Sequence, residues 1–245
     1  MTDPLFLVED LWVGTDLPGR GDEVVVGGRE GHHAAVVRRL QPGESVMIGD
    51  GRGSGVRGEV VEATKAGLRV RVAERLSTPE PAVRMVAVQA LAKGDRSELA
   101  VEMLTEVGVH AIVPWQASRS VVRWSGERGE KSLARWAATA REAAKQSRRL
   151  DVPQVAPVVS TQQLGARLVA ADLALVLHED ARDPIAAVEL PAVGEVVVVV
   201  GPEGGISAEE LSAFVVAGAR PVRVGDHVLR TSTAGVVALA ALLNR

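Results

Sequence analysis

Two loops in the last third of the chain carry the residue types that ligand chemistry needs. Gly201-Pro202-Glu203-Gly204-Gly205 directly follows the most apolar run of the sequence, Val196–Val200. Glycines admit positive φ and let a ligand approach the backbone, proline stiffens the turn, and Glu203 puts a carboxylate at the end of a strand. Ligands of open α/β sheets bind beyond the carboxyl ends of the strands. An ordinary strand-to-helix turn rarely needs three glycines and a proline together. The second loop, from Val224 through Gly225-Asp226-His227-Val228-Leu229-Arg230 to Thr231-Ser232, repeats the order strand, polar loop, helix start. Thr231 and Ser232 are natural helix caps. Arg230 stands at the helix mouth, where the macrodipole disfavours a lone cation. An anionic or carbonyl partner would explain it, as would a nearby carboxylate.

Other chemistry is excluded or weak. Gly53-Ser-Gly55-Val-Arg-Gly58 has dinucleotide-loop spacing, but Glu59–Glu62 after it reads as a strand, where that motif needs a helix, so hairpin glycines explain it better. P-loop and nucleophile-elbow sequences are absent. The chain contains no cysteine, which excludes disulfides and thiolate metal sites and suits a reducing, cytoplasmic setting. His32 and His33 are adjacent, so on a helix they diverge by about 100°, and His110, His178 and His227 lack ligand spacing; no metal is expected. The first residues lack the pattern of a signal peptide, and no apolar run is long enough for a membrane helix.

The elements that must position these loops fall into two patterns. Residues 1–75 read as short strands with Gly-rich turns: Val24–Val26, Ser45–Ile48, Val56–Glu62 and Leu68–Val72, the last alternating with period two. One helical stretch, Glu30–Leu40, interrupts them, and a compact β-barrel is expected. Residues 76–81, with Ser77-Thr-Pro-Glu-Pro81, form a stiff linker. Over residues 82–245 strands and helices alternate, which implies an α/β domain with a parallel sheet. Its strands are Val83–Ala90, Val109–Val113, Leu173–Leu177, Glu195–Val200 and Arg220–Val224. Its helices are Asp95–Gly108, with Asp95 and Glu98 at capping-box spacing; Glu130–Arg149, with Leu133, Trp136, Ala137, Ala140 and Ala144 inward; Ser207–Ala217, with Ser207 and Glu210 as capping box and Gly218 as stop; and Thr231–Leu243.

Net charge is −3, yet residues 117–149 hold nine Lys or Arg against three Glu. Arg141, Lys145 and Arg148 stand at i, i+4 and i+7 and are expected on one helix face, a spacing that suits either an RNA backbone or a solvated surface.

Taken in order, these segments resemble the RsmE family of ribosomal RNA methyltransferases, within the SPOUT (α/β-knot) superfamily, along nearly the whole chain. Gly31-His-His-Ala-Ala-Val-Val-Arg-Arg-Leu40 with Gly43 is similar to the family's His-rich segment. Lys93-Gly-Asp-Arg96 with Glu98 and Thr105-Glu-Val-Gly108, Ser118–Val122, and Glu142–Arg148 with Val152-Pro153 follow. Gly201–Gly205 and Gly225…Leu229-Arg230-Thr231 resemble the two donor-binding motifs. GPEGG alone is moderately specific; the ordered set is highly specific.

The resemblance implies an N-terminal PUA-like β-barrel that helps hold RNA, followed by a SPOUT domain with a C-terminal trefoil knot that binds S-adenosylmethionine and forms a homodimer. It implies methylation of N3 of one uridine of 16S rRNA, 1498 in the usual numbering, in the small ribosomal subunit. The donor would be held by Leu177, His178 and Glu179, by Gly201, Pro202, Gly204 and Gly205, and by Val224, Gly225, Val228, Leu229 and Thr231. RNA would be held by His32, Arg38, Arg39 and Lys93, and by Arg119, Arg141, Lys145 and Arg148. Arg230 and Glu203 are the expected catalytic pair: Arg230 beside the uracil carbonyl where charge develops, and Glu203, with Asp226 or His227 as alternatives, taking the N3 proton. The chain departs from the family pattern in this loop. Leu-Arg-x-Glu-Thr-Ala has Ser232 in place of Glu, so no carboxylate role carries over there, and Asp226-His227 stand where the family often has Pro-Arg.

Overall fold

The computed structural model describes residues 3–12 and 16–243. They form two compact units: one holds the chain up to Glu80 together with Ala144–Val152, and the other holds Pro81–Ala143 and the chain from Pro153 onward.

In the first unit, β1 (Leu5–Leu7), β2 (Glu23–Val26), β3 (Ser45–Gly49), β4 (Ser54–Thr64) and β5 (Gly67–Ser77) form a curled sheet of order β1-β3-β4-β5-β2. β1 runs parallel to β3, and the other pairs are antiparallel. The period-two reading of β5 holds: Leu68, Val70 and Val72 are buried with Phe6, Ile48 and Val60, while Arg69 and Arg71 face solvent. The order is open, so the sheet is a half-barrel rather than a closed one. The expected single helix over Glu30–Leu40 is instead a short α1 (Gly28–His32) running into a π-helical turn, His33–Val37, and Arg39 in the left-handed region (φ 57°) ends it before Leu40. Gly55 lies where a Cβ would stand 2.7 Å from the Ile48 carbonyl and 2.8 Å from Leu150. The glycines at 53, 55 and 58 therefore serve hairpin and packing needs. The returning segment Ala144–Val152 seats Leu150 among Leu5 and Leu7, with Met47, Leu76 and Val152 alongside.

In the second unit the chain runs β6 (Val83–Ala90), α2 (Arg96–Val107), β7 (Ala111–Gln116), α3 (Gly126–Gln146), β8 (Gln154–Val155), β9 (Val159–Ser160), α4 (Thr161–Ala170), β10 (Leu173–Leu177), β11 (Gly194–Val200), α5 (Ala208–Val216), β12 (Arg220–Val222) and α6 (Thr231–Leu243). The end of α3 packs with the first unit. The sheet order is β12-β10-β11-β6-β7-β8, with β9 also on β7, and every pair is parallel. Val196–Val200 of β11 are all buried, as a central parallel strand covered on both faces requires.

Three local expectations fail for identifiable reasons. Asp95 adopts helical dihedrals (φ −67°, ψ −9°), its carboxylate makes no cap hydrogen bond, and Glu98 pairs with Arg135 at 3.2 Å instead. On α3, Ala137 is exposed and Ala143 is buried, because the buried stripe runs through Trp136, Ala140, Ala143 and Ala144 at i, i+4, i+7 and i+8, and Ala137 lies off it. α3 also stops at Gln146, and Arg148 takes a left-handed conformation (φ 59°). Arg141, Lys145 and Arg148 therefore do not share a helix face.

Candidate active site

The carboxyl ends of the neighbouring strands β12, β10 and β11 open into one cleft of about 570 Å³. Leu177, His178 and Glu179 line it after β10, Gly201–Ile206 after β11, and Arg223–Thr231 after β12. The cleft thus gathers the whole expected donor set with Glu203, Arg230 and Arg119. His32, Arg38, Arg39, Lys93, Arg141, Lys145 and Arg148 lie outside it.

Each glycine of the first loop has its own reason. A Cβ on Gly201 would stand 2.8 Å from Ile206 Cγ1, and one on Gly204 would stand 3.2 Å from both Cβ and the carbonyl oxygen of Arg119. Gly205 has φ 72° and donates its N–H to the Pro202 carbonyl at 2.9 Å, which closes the turn. Arg119 donates to the Gly204 carbonyl at 3.2 Å.

The capping box read from Ser207 and Glu210 forms and reaches further than a cap. Glu210, 5% exposed, accepts from the Ser118 N–H and the Ser118 hydroxyl (both 2.8 Å), from the Thr161 hydroxyl (2.9 Å) and from the Ser207 N–H (3.2 Å). It ties the helix after the glycine loop to Ser118, and so to the neighbouring Arg119. Burial pushes the Glu210 carboxyl up, but these hydrogen bonds outweigh it and hold the group below its ordinary range. A depressed folded-state pKa means stability that is present above the unfolded value and lost as pH falls through the folded one. Glu210→Ala is expected to cost about 2–4 kcal/mol at neutral pH, because buried donors lose a charged acceptor. In denaturant titrations the gap to the wild type should narrow as pH falls below about 4.

Glu203 does not stand free. Its Oε1 accepts from the Lys93 N–H at 3.3 Å and lies 3.5 Å from Arg96, a cleft residue the sequence reading missed. Arg230 is exposed and, among the described residues, makes no ion pair; the nearby carboxylate Asp226 pairs with Arg223 at 3.2 Å. Thr231 and Ser232 do not precede α6 but begin it. The Thr231 hydroxyl donates to the Gly201 carbonyl at 2.7 Å rather than capping, and Ser232 is buried.

Two cations expected on RNA are engaged elsewhere. Lys145, 11% exposed, pairs with Glu30 at 2.9 Å, and Arg148 donates to the Asp3 carbonyl at 3.1 Å. His110 Nδ1 accepts from the Met85 N–H, which is a structural role. No described helix is long and apolar enough to cross a membrane.

A parallel sheet with paired glycine loops at its carboxyl edge, joined to a small curled sheet, defines a class. Residues 78–243 match the model of the RNA methyltransferase domain, and residues 26–73 match that of the RNA methyltransferase PUA domain. The chain is 48% identical over 240 residues to ribosomal RNA small subunit methyltransferase E of Mycobacterium bovis, covering 96% of this chain and 92% of that protein. Its namesake in Bacillus subtilis is 32% identical, with coverages of 88% and 87%. Ribosomal RNA small subunit methyltransferase E of Neisseria gonorrhoeae, solved bound to S-adenosyl methionine, superposes with a TM-score of 0.86 at 25% identity, over 99% of this chain and 98% of that one. The chain belongs to the ribosomal RNA small subunit methyltransferase E family.

Proposed function

We propose that this protein transfers the methyl group of S-adenosylmethionine to N3 of one uridine of 16S rRNA, 1498 in the usual numbering, in the assembled small subunit. The observation that carries this reading is the convergence of both glycine loops and Arg230 on one cleft. The cleft fits the donor: its volume lies within the range of about 300–1,000 Å³ for small-molecule sites. It also combines apolar walls from Leu177, Val200 and Ile206 with loop backbone left accessible by Gly204 and Gly205.

When bound, the donor supplies an electrophilic methyl group. The chain must hold it, orient the uridine and help the N3 proton leave. Backbone groups of Gly201–Gly205 and Val224–Thr231, with Leu177, His178 and Glu179, hold the donor. Arg230, which makes no ion pair among the described residues, is available to a uracil carbonyl as negative charge develops there. Glu203, held at Lys93 and Arg96, serves by fixing the loop, which leaves the exposed His227 or solvent to take the proton. N3 lies on the Watson–Crick edge, so the uridine reacts unpaired or extruded.

The expected linker over 76–81 starts too early, since Leu76 and Ser77 belong to β5. The unit that holds the chain to Glu80 with Ala144–Val152 is assigned to holding RNA, through His32, Arg38 and Arg39, and the rest of the chain to methyl transfer, with Arg119, Lys93 and Arg141 as phosphate contacts. Lys145 and Arg148 are assigned to anchoring Ala144–Val152. The family's trefoil knot, a cytoplasmic location and a homodimer complete the proposal. The dimer is supported by exposed Val237 and Leu243 on α6 and exposed Leu99 on α2, which packs against it.

The deciding experiment offers labelled donor with naked 16S rRNA and with unmodified small subunits, then identifies the labelled nucleoside. The expected product is 3-methyluridine, formed on subunits. Label at a ribose 2′-oxygen, or none at all, overturns the assignment.

A further inference from the structure

Gln89 is fully buried near the carboxyl end of β6, directly after the apolar run Met85–Val88, and does not line the cleft. Its Nε2 faces three oxygens: the Thr231 hydroxyl at 2.9 Å, and the carbonyls of Thr231 and Ala90 at 3.3 Å. A flipped amide would set Oε1 against the two carbonyls, which disfavours it and keeps Nε2 as the donor to Thr231. Because Gln89 donates to Thr231 Oγ1, the Thr231 proton is free to go to the Gly201 carbonyl. The result is a directed chain, Gln89 N–H to Thr231 O–H to Gly201 C=O, in which each bond polarises the next. Gln89 Oε1 has no partner among the described residues. An apolar side chain would fill this position without burying an orphaned acceptor, so the glutamine carries a cost that packing alone does not explain.

The chain ends on the two parts that the proposed reaction must keep in register. Gly201 opens the donor loop. Thr231 opens α6 immediately after Arg230, whose carbonyl accepts from the N–H groups of Thr233 and Ala234 at 2.9 Å. The donor loop has supports of its own, in the Pro202–Gly205 turn and Arg119. Among the side-chain hydrogen bonds of the described residues, the start of α6 is held to the sheet through Thr231. We infer that Gln89 is a positioning residue for methyl transfer: acting through Thr231, it fixes the first turn of α6 and with it the placement of Arg230 over the donor loop. This inference rests on the function proposed above.

The test uses the full-length protein with Gln89→Met, Thr231→Val and the double variant. Amide hydrogen exchange without donor or RNA should rise at Thr233 and Ala234 in each variant, while β6 and β11 keep their protection. Single-turnover methyl transfer to unmodified small subunits should fall by about ten- to a hundredfold in Gln89→Met, the scale of a misplaced catalytic group. In Gln89→Met, a change outside the cleft, donor affinity by calorimetry should stay within about threefold. The double variant should be no worse than Thr231→Val, because the two residues act as one unit. Exchange rising equally across β6 and β11, donor affinity falling as far as the transfer rate, or additive losses would each overturn the positioning role. If the wild type transfers no methyl to uridine, the proposed function fails, while the exchange comparison, which needs no substrate, still decides whether Gln89 holds α6.

Discussion

Replacing Arg230 with alanine is expected to lower the single-turnover rate of methyl transfer by about 10²–10³-fold, the loss seen when one preorganised donor to a developing oxyanion is removed. The donor dissociation constant should change by less than about threefold, because an interaction made only in the transition state adds nothing to ground-state binding. The expectation rests on three observations: Arg230 lines the cleft, it has no ion pair among the described residues, and the neighbouring Asp226 is already engaged by Arg223. Lysine at this position should recover little, since a point charge does not reproduce a planar guanidinium. Equal losses of donor affinity and rate would reassign Arg230 to donor binding.

Replacing Gly204 with valine is expected to act on the other quantity. The added Cβ would lie 3.2 Å from the Arg119 carbonyl oxygen, and this neighbour cannot easily yield, because Glu210 pins the backbone N–H and hydroxyl of the adjacent Ser118. The loop must shift instead, at a cost of about 2–3 kcal/mol, or roughly 30- to 150-fold in donor affinity if the strain falls on the binding conformation. Calorimetry with the donor alone measures this. Gly225→Ala is the contrast: φ is 74°, but the space around a Cβ is open, so only backbone strain of about 1–2 kcal/mol is expected. If Gly204→Val bound the donor as well as the wild type, the cleft would not be the donor site.

The parts of the fold written in local pattern were legible in the sequence. β6, β10 and α6 have the expected bounds because apolar runs and breakers mark them directly, and the Ser207–Glu210 capping box is a four-residue signature. The reading failed where a tertiary partner overrode a local signal. Asp95 had the right spacing to cap but not the backbone angles, and Arg148 continued a charge periodicity past the end of its helix. The cleft residues were grouped by family resemblance, while the contacts that set them were not visible. Glu203 looked like a free carboxylate because nothing in sequence places Lys93 and Arg96 beside it. Gln89 gave one faint sign, a polar residue in a run of apolar ones, and its partner lies 142 positions away.

The return of Ala144–Val152 to the first unit bears on how the protein is made. A chain emerging from the ribosome folds its N-terminal part first where it can. Here the apolar cluster of Leu5 and Leu7 lacks Leu150, and the backbone of Gly51 and Gly53 lacks its partners Val152 and Leu150, until residue 152 of the 245 has been synthesised. The first eighty residues are thus an unfinished piece during translation, with a greasy surface waiting for a segment not yet made. A fragment ending at the linker would keep that surface permanently, which marks it as a poor stand-alone RNA-binding module. A chain extended through residue 152 is the shortest that contains every part of the unit.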